Sequence, residues 1–96
     1  MNNIDKKLNH NPLKRGGITM YSKKNAIDFV IECSKNNIRI LGIDGFFLTT
    51  EKTQPSLENS IDFSLEVNIQ NVYKKAIAFL ENKNEELYFE IVNVTV

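Results

Sequence analysis

The side chains able to do chemistry are few, and most of them are carboxylates. Asp44 stands between Gly42 and Gly45 in the run Ile-Arg-Ile-Leu-Gly-Ile-Asp-Gly-Phe-Phe-Leu that spans 38–48. It interrupts an apolar stretch, so it must reach solvent, find hydrogen-bond donors or serve a partner. Asp62 and Glu66 follow in an alternating stretch and can approach Asp44 across adjacent strands, as an acid/base pair would. The same three acids fit two other roles: solvated charges on an outer face, or an acidic surface complementary to a basic partner. No activated nucleophile is expected. Cys33 falls in a helical pattern as a small buried thiol, and His10, the only histidine, lies far off in a polar tail.

Other catalytic signatures are missing. One His and one Cys cannot build a zinc site, so neither a metal nor a cofactor is expected. The sequence holds no Walker A motif, dinucleotide fingerprint or nucleophile elbow. Gly42-Ile43-Asp44-Gly45 is close to the Asp-x-Asp-Gly motif of aspartate-nucleophile phosphatases. Gly42, however, occupies the position of their nucleophilic carboxylate, and without it that chemistry is lost.

The elements that must position these residues follow from periodicity. Ser22 is a good N-cap for a helix running to about Asn36. Ala26, Ile27, Val30, Ile31 and Ser34 form its apolar stripe, and Lys23, Lys24, Asp28, Glu32 and Lys35 its polar side. Asn36-Asn37 supplies the stop, since Asn tolerates left-handed geometry. Ile38–Leu48 is a strand with apolar residues on both faces, hence central or covered on both sides. Gly42 and Gly45 suit a bulge or a close approach by another chain. Residues 49–60 read as a polar loop around Pro55. Ile61, Phe63, Leu65 and Val67 then alternate with Asp62, Ser64 and Glu66, which predicts a half-buried strand with an acidic outer face. Asn68 caps a second helix to about Asn82, with Ile69, Val72, Tyr73, Ala76, Ile77 and Leu80 as its stripe. Leu87 to Val96 alternates again and closes the chain as a strand. The expected fold is α+β in the order α-β-β-α-β, with a mainly antiparallel sheet and both helices on one face. The last strand lies beside Ile38–Leu48, which takes the middle.

At 96 residues the chain allows one domain with a modest core. No apolar run approaches the ~20 residues that cross a bilayer, and the polar N-terminus lacks the apolar region of a signal peptide. With a single cysteine, a reducing, cytoplasmic setting is expected. The formal net charge of +0 hides a division. Residues 1–19 carry four basic side chains against one acid, a net +3, while residues 20–96 carry eight against eleven, a net −3. Residues 1–19 lack periodicity and read as a flexible N-terminal extension of a single domain at 20–96. Arg15-Gly16-Gly17 can be encoded by a purine-rich ribosome-binding sequence just ahead of Met20, which points to translation starting there. The competing reading is a basic arm that binds nucleic acid.

From Met20 through Leu48, a helix of Ala-Ile-Asp-Phe-Val-Ile-Glu-Cys-Ser-Lys leads into Asn-Asn-Ile-Arg-Ile-Leu-Gly-Ile-Asp-Gly. This stretch resembles the start of the immunity protein for an anticodon-cleaving (tRNase) colicin. The general plan is also similar to small immunity proteins of contact-dependent growth inhibition. The resemblance implies a small cytoplasmic inhibitor whose acidic and aromatic surface blocks the RNA-binding cleft of a cognate nuclease toxin. Gly42, Ile43, Asp44 and Gly45 carry over as motif positions, whereas Phe46-Phe47-Leu48 stands in a different local sequence.

The expectation is therefore a non-enzymatic protein that neutralises a basic nuclease toxin by binding it, without touching membrane or nucleic acid. Asp44, Glu51, Glu58, Asp62 and Glu66 are the candidates for charged contacts, and Phe46, Phe47 and Tyr88 for apolar anchors. At least one of Phe46 and Phe47 belongs to the core. The alternatives are a small RNA-binding module, a small acid/base enzyme, or a homodimer joined along the last strand as an exposed edge.

Overall fold

Two amphipathic helices set the architecture of the computed structural model, which describes residues 3–8 and 10–94. The first, α2 (Lys23–Lys35), follows a short helix α1 (Asn3–Leu8) and a hairpin of β1 (Leu13–Arg15) and β2 (Ile18–Ser22). Its N-terminus is capped by the Ser22 hydroxyl, which accepts from the Asn25 N–H at 3.3 Å. Asn37 adopts a left-handed φ of 54° just past its end, as the Asn pair predicts. The buried stripe of α2 is Ala26, Phe29, Val30 and Cys33, rotated from the expected one. Phe29 carries the larger apolar area, so it turns inward and leaves Ile31 exposed. The second helix, α3 (Ile69–Glu81), is capped by Asn68 and buries Val72, Tyr73, Ala76 and Leu80, as its periodicity predicts.

β3 (Arg39–Leu48) lies between β4 (Thr53–Asp62) and β5 (Tyr88–Val94) in a sheet ordered β1-β2-β5-β3-β4, every pair antiparallel. The fold is α+β with α2 and α3 packed on the sheet. Phe29, Val30, Ile40, Ile43, Leu80 and Phe89 fill the core between the layers. β3 is flanked on both sides, with the last strand beside it as expected, but the two added strands of the hairpin make β5, not β3, the middle of the five. β5 is interior in the order, paired with β3 along its length and with β2 at Tyr88 and Phe89.

Two segments depart from the sequence reading. β4 begins inside the expected loop and ends at Asp62, so only Ile61 and Asp62 of the predicted strand 61–67 belong to it. Leu65 and Val67 alternate with polar residues but are 93% and 92% exposed, because the chain leaves the sheet after Asp62 and only Phe63 turns inward. The second departure is in the N-terminal stretch, where the described residues, 3–8 and 10–19, do not lie apart from the body. Ile4 and Asp5 are buried, and α1 packs on α2. Glu32, placed on the polar side of α2 by periodicity, is buried there, with Lys7 of α1 as its ion-pair partner. The hairpin turns through Gly16 and Gly17, both with positive φ (55° and 81°), in the two-residue geometry that Gly-Gly favours. His10 is likewise buried rather than loose. Its Nδ1 lies 3.7 Å from Asp5 and its Nε2 lies 3.8 Å from Asp28. No helix among the described residues is long and apolar enough to cross a membrane.

Candidate binding surface

The face of the sheet opposite the helices collects the acids. Side chains alternate along each strand, so Ile43 and Gly45 of β3 face the helix layer with Phe89 and Ile91 of β5, their cross-strand neighbours. Gly42, Asp44 and Phe46 therefore face the other way, opposite Val92, Glu90 and Tyr88 in turn.

Two register shifts bracket Asp44. Beside β5, Leu41 is an extra residue between Ile40 and Gly42. Beside β4, the pairing jumps from Ile43–Ile61 to Gly45–Ser56, so residues 57–60 bulge out and Asp44 has no opposite number there. The glycines make this possible, as their place in the sequence suggests. A Cβ on Gly45 would sit 2.2 Å from the Asn59 carbonyl oxygen, and one on Gly42 would sit 2.9 Å from that of Ile61. The bulge is held by the Ser60 hydroxyl, which accepts from the Gly45 N–H at 3.1 Å and donates to the Ser56 carbonyl at 2.7 Å.

On β5 the direct neighbour of Asp44 is Glu90. Partial burial, and then the charge of Asp44, push the Glu90 carboxyl above the ordinary glutamate range. Like charges placed directly opposite each other in a sheet are destabilising, so this pair costs the free protein stability. Sequence reasoning missed Glu90, although the alternation of Phe89, Glu90, Ile91 already set it on a face away from the core. Asp62 joins Asp44 around a shallow hollow of about 330 Å³ that Gly42, Ser64 and Val92 also line. The Ser64 N–H donates to Asp62 at 2.8 Å and holds its carboxyl below the ordinary range.

The other candidates scatter. Glu66 lies in the loop after β4, not on a strand. It is braced by Lys75 at 2.7 Å and accepts from the Asn68 N–H at 3.3 Å, contacts that hold its carboxyl below the ordinary range, Lys75 foremost. Its carbonyl accepts from Arg39 at 2.8 Å, so the residue serves to fix the loop. Glu51 is exposed in the turn between β3 and β4, and Glu58 is exposed on the bulge. Phe46 is 5% exposed and cannot anchor a partner as it stands. It shares its face with Met20 of β2, which is also buried outside the main apolar cluster. Phe47 points to the opposite face and is 48% exposed, so the two phenylalanines cannot join one surface. Tyr88 is half-buried opposite Phe46.

The remaining reactive groups are enclosed. Burial pushes the Cys33 thiol up to about 12, which leaves it protonated and inert at neutral pH. Among the described residues no group of three or more His, Cys, Asp or Glu side chains is placed to hold a metal ion. No protein-family model matches this sequence, and no curated protein matches it.

Proposed function

We propose that this is a cytoplasmic immunity protein, which neutralises a basic nuclease toxin by binding it stoichiometrically and carries out no reaction itself. The observation that supports this reading best is the Asp44–Glu90 pair. Two carboxylates set directly opposite each other on a strand pair are unfavourable until a cation arrives between them. A nuclease must grip phosphates with Lys and Arg, and such a cleft supplies those cations. The Gly-Ile-Asp-Gly resemblance points the same way, with Asp44 at its centre.

A raised Glu90 beside Asp44 is also what an acid/base enzyme would need. The hollow that Asp44 lines with Asp62 and Ser64 is shallow and would leave most of a small substrate in solvent, which favours binding over catalysis.

A toxin-domain gene immediately upstream would favour this reading, and co-expression with a nuclease-toxin domain is the test. Cells making the wild-type protein should survive, and cells making Asp44→Lys/Glu90→Lys should die, with thermal unfolding used to confirm that the variant is folded. The purified protein should turn over neither RNA nor phosphoesters. An activity of the protein alone that Asp44→Asn or Glu90→Gln abolishes would move it to the enzyme class.

A further inference from the structure

Residues 63–68, which join β4 to α3, are fixed at both ends and in the middle. Phe63 is buried in the core, and its N–H donates to the Leu41 carbonyl. Asn68 caps α3. Between them the Glu66 N–H closes a turn onto the Phe63 carbonyl, while Arg39 donates to the Glu66 carbonyl and Lys75 to its carboxylate. None of these bonds uses the side chains of Leu65 and Val67, which project almost fully into solvent. Single exposed aliphatics are ordinary, but this pair has company on the sheet. Val92 and Val94 of β5 lie on the open face and are exposed as well. Val92 lines the hollow with Asp62 and Ser64, the residue before Leu65. Val94 stands opposite Arg39, whose guanidinium reaches Glu66. The four aliphatics thus border the acids Asp44, Asp62 and Glu90.

We propose that Leu65 and Val67, with Val92 and Val94 beside them, are the apolar half of a docking surface. Its occupant is a basic protein partner that presents an apolar stripe rimmed by lysine and arginine. Charge selects this occupant. A second copy packed about a two-fold axis would bring Asp44, Asp62 and Glu90 towards their own counterparts. Anionic lipid headgroups would be repelled by the same acids. A lysine or arginine rim is attracted by them, and the cations nearest the loop, Arg39 and Lys75, are already engaged by Glu66. The bracing of the loop adds to this, because a pre-ordered segment loses little freedom on binding. The two halves then divide the work: the acids act on the approach, and the buried aliphatics hold the complex once formed. The proposal rests on the preceding reading for the partner's being a nuclease, while the patch and its charge are independent of it.

The test uses the full, isotopically labelled chain and its variant Leu65→Ser/Val67→Ser. Both side chains face solvent, so the variant should keep the wild-type melting temperature. The first probe is a capped helical peptide of lysine and leucine, with its leucines in one stripe. A control peptide of equal charge has serine in place of every leucine. The leucine peptide should shift the methyl signals of Leu65 and Val67 together with the amides of Asp44 and Asp62. The serine peptide, and the leucine peptide on the variant, should bind about tenfold more weakly, the loss expected for a buried anchor. Equal binding of the two peptides, or shifts confined to the helices, overturns the proposal. So does a wild-type chain that sediments as a dimer where the variant is a monomer, or one that adsorbs to phosphatidylserine vesicles through these residues. The second probe is the nuclease domain of the co-expression test, from which the variant should dissociate about tenfold faster at an unchanged association rate. Unchanged dissociation defeats the apolar surface alone and leaves the immunity reading standing. Joint binding of the leucine peptide by a chain that neutralises no toxin leaves the surface standing and defeats that reading.

Discussion

Glu90 ties electrostatics to stability through a sign that can be checked. Its carboxyl is raised in the folded state by partial burial and by Asp44, so the fold prefers the protonated acid. The stability this contributes is fully present below the unfolded glutamate value of 4.5 and is lost as pH rises through the raised folded value. Glu90→Gln removes the charge, so at neutral pH it should stabilise by about 0.2–1 kcal/mol, the usual scale of a cross-strand pair. Denaturant unfolding at pH 4 and pH 7 would test this, with the gain shrinking at the acid end. An equal gain at both pH values would mean that packing, not charge, separates Glu90 from Asp44. Gly45 offers a second test at this scale. Its missing Cβ leaves room for the Asn59 backbone at a distance no side chain tolerates. Gly45→Ala should therefore open the bulge and destabilise by about 1–3 kcal/mol, the range of overpacking strain. A neutral result in urea titrations would show that the bulge can shift without cost.

At the scale of elements, residues 1–19 are the consequential segment. α1 buries Ile4 and Asp5, and the Tyr21 hydroxyl donates to Asp5 at 2.9 Å. A chain beginning at Met20 loses α1, β1 and part of β2, and uncovers Glu32 and Met20. Its melting temperature should fall, by about 4–8 °C for each kcal/mol lost in a domain of this size. An unchanged melting temperature would mean that these elements rest on the body without supporting it. The helices were legible because their stripes repeat with the helical period and Ser22 and Asn68 mark their starts. The hairpin had a partial signal, since Gly16-Gly17 is a hairpin-turn pair followed by the β-prone run Ile18–Tyr21, but Leu13-Lys14-Arg15 before it has no strand pattern. β4 was hidden for a different reason. Its bulge interrupts the two-residue period between Ser56 and Ile61, while Leu65 and Val67 continue an alternation that no neighbouring layer buries. Of the candidate surface, Asp44 and its glycines were readable from local sequence. The Asp44–Glu90 pairing was not, because it depends on register across a long separation.

For the whole molecule, association depends on where the charge sits. The formal net charge is +0, so long-range attraction to a basic partner cannot come from an overall acidic field. It must come from the uneven distribution, with Asp44, Glu90 and Asp62 near one another on one face and Lys6 and Lys7 on α1. Steering of this kind is short-ranged, because ions screen exposed charges beyond ~8 Å at physiological salt. Reversing Asp44 and Glu90 to Lys should slow association with a basic nuclease domain by about tenfold at low salt, the lower end of steering effects. It should also flatten the salt dependence. Reversing Glu66 should do neither. That acid is committed to Lys75 and the loop, and an ion pair this open to solvent contributes little to stability. Stopped-flow association across a salt series separates the alternatives. If the Glu66 variant slows as much as the Asp44/Glu90 variant, the partner responds to total charge and the open face is not its docking site. If only the Asp44/Glu90 variant slows, the sheet face opposite the helices is where the partner lands.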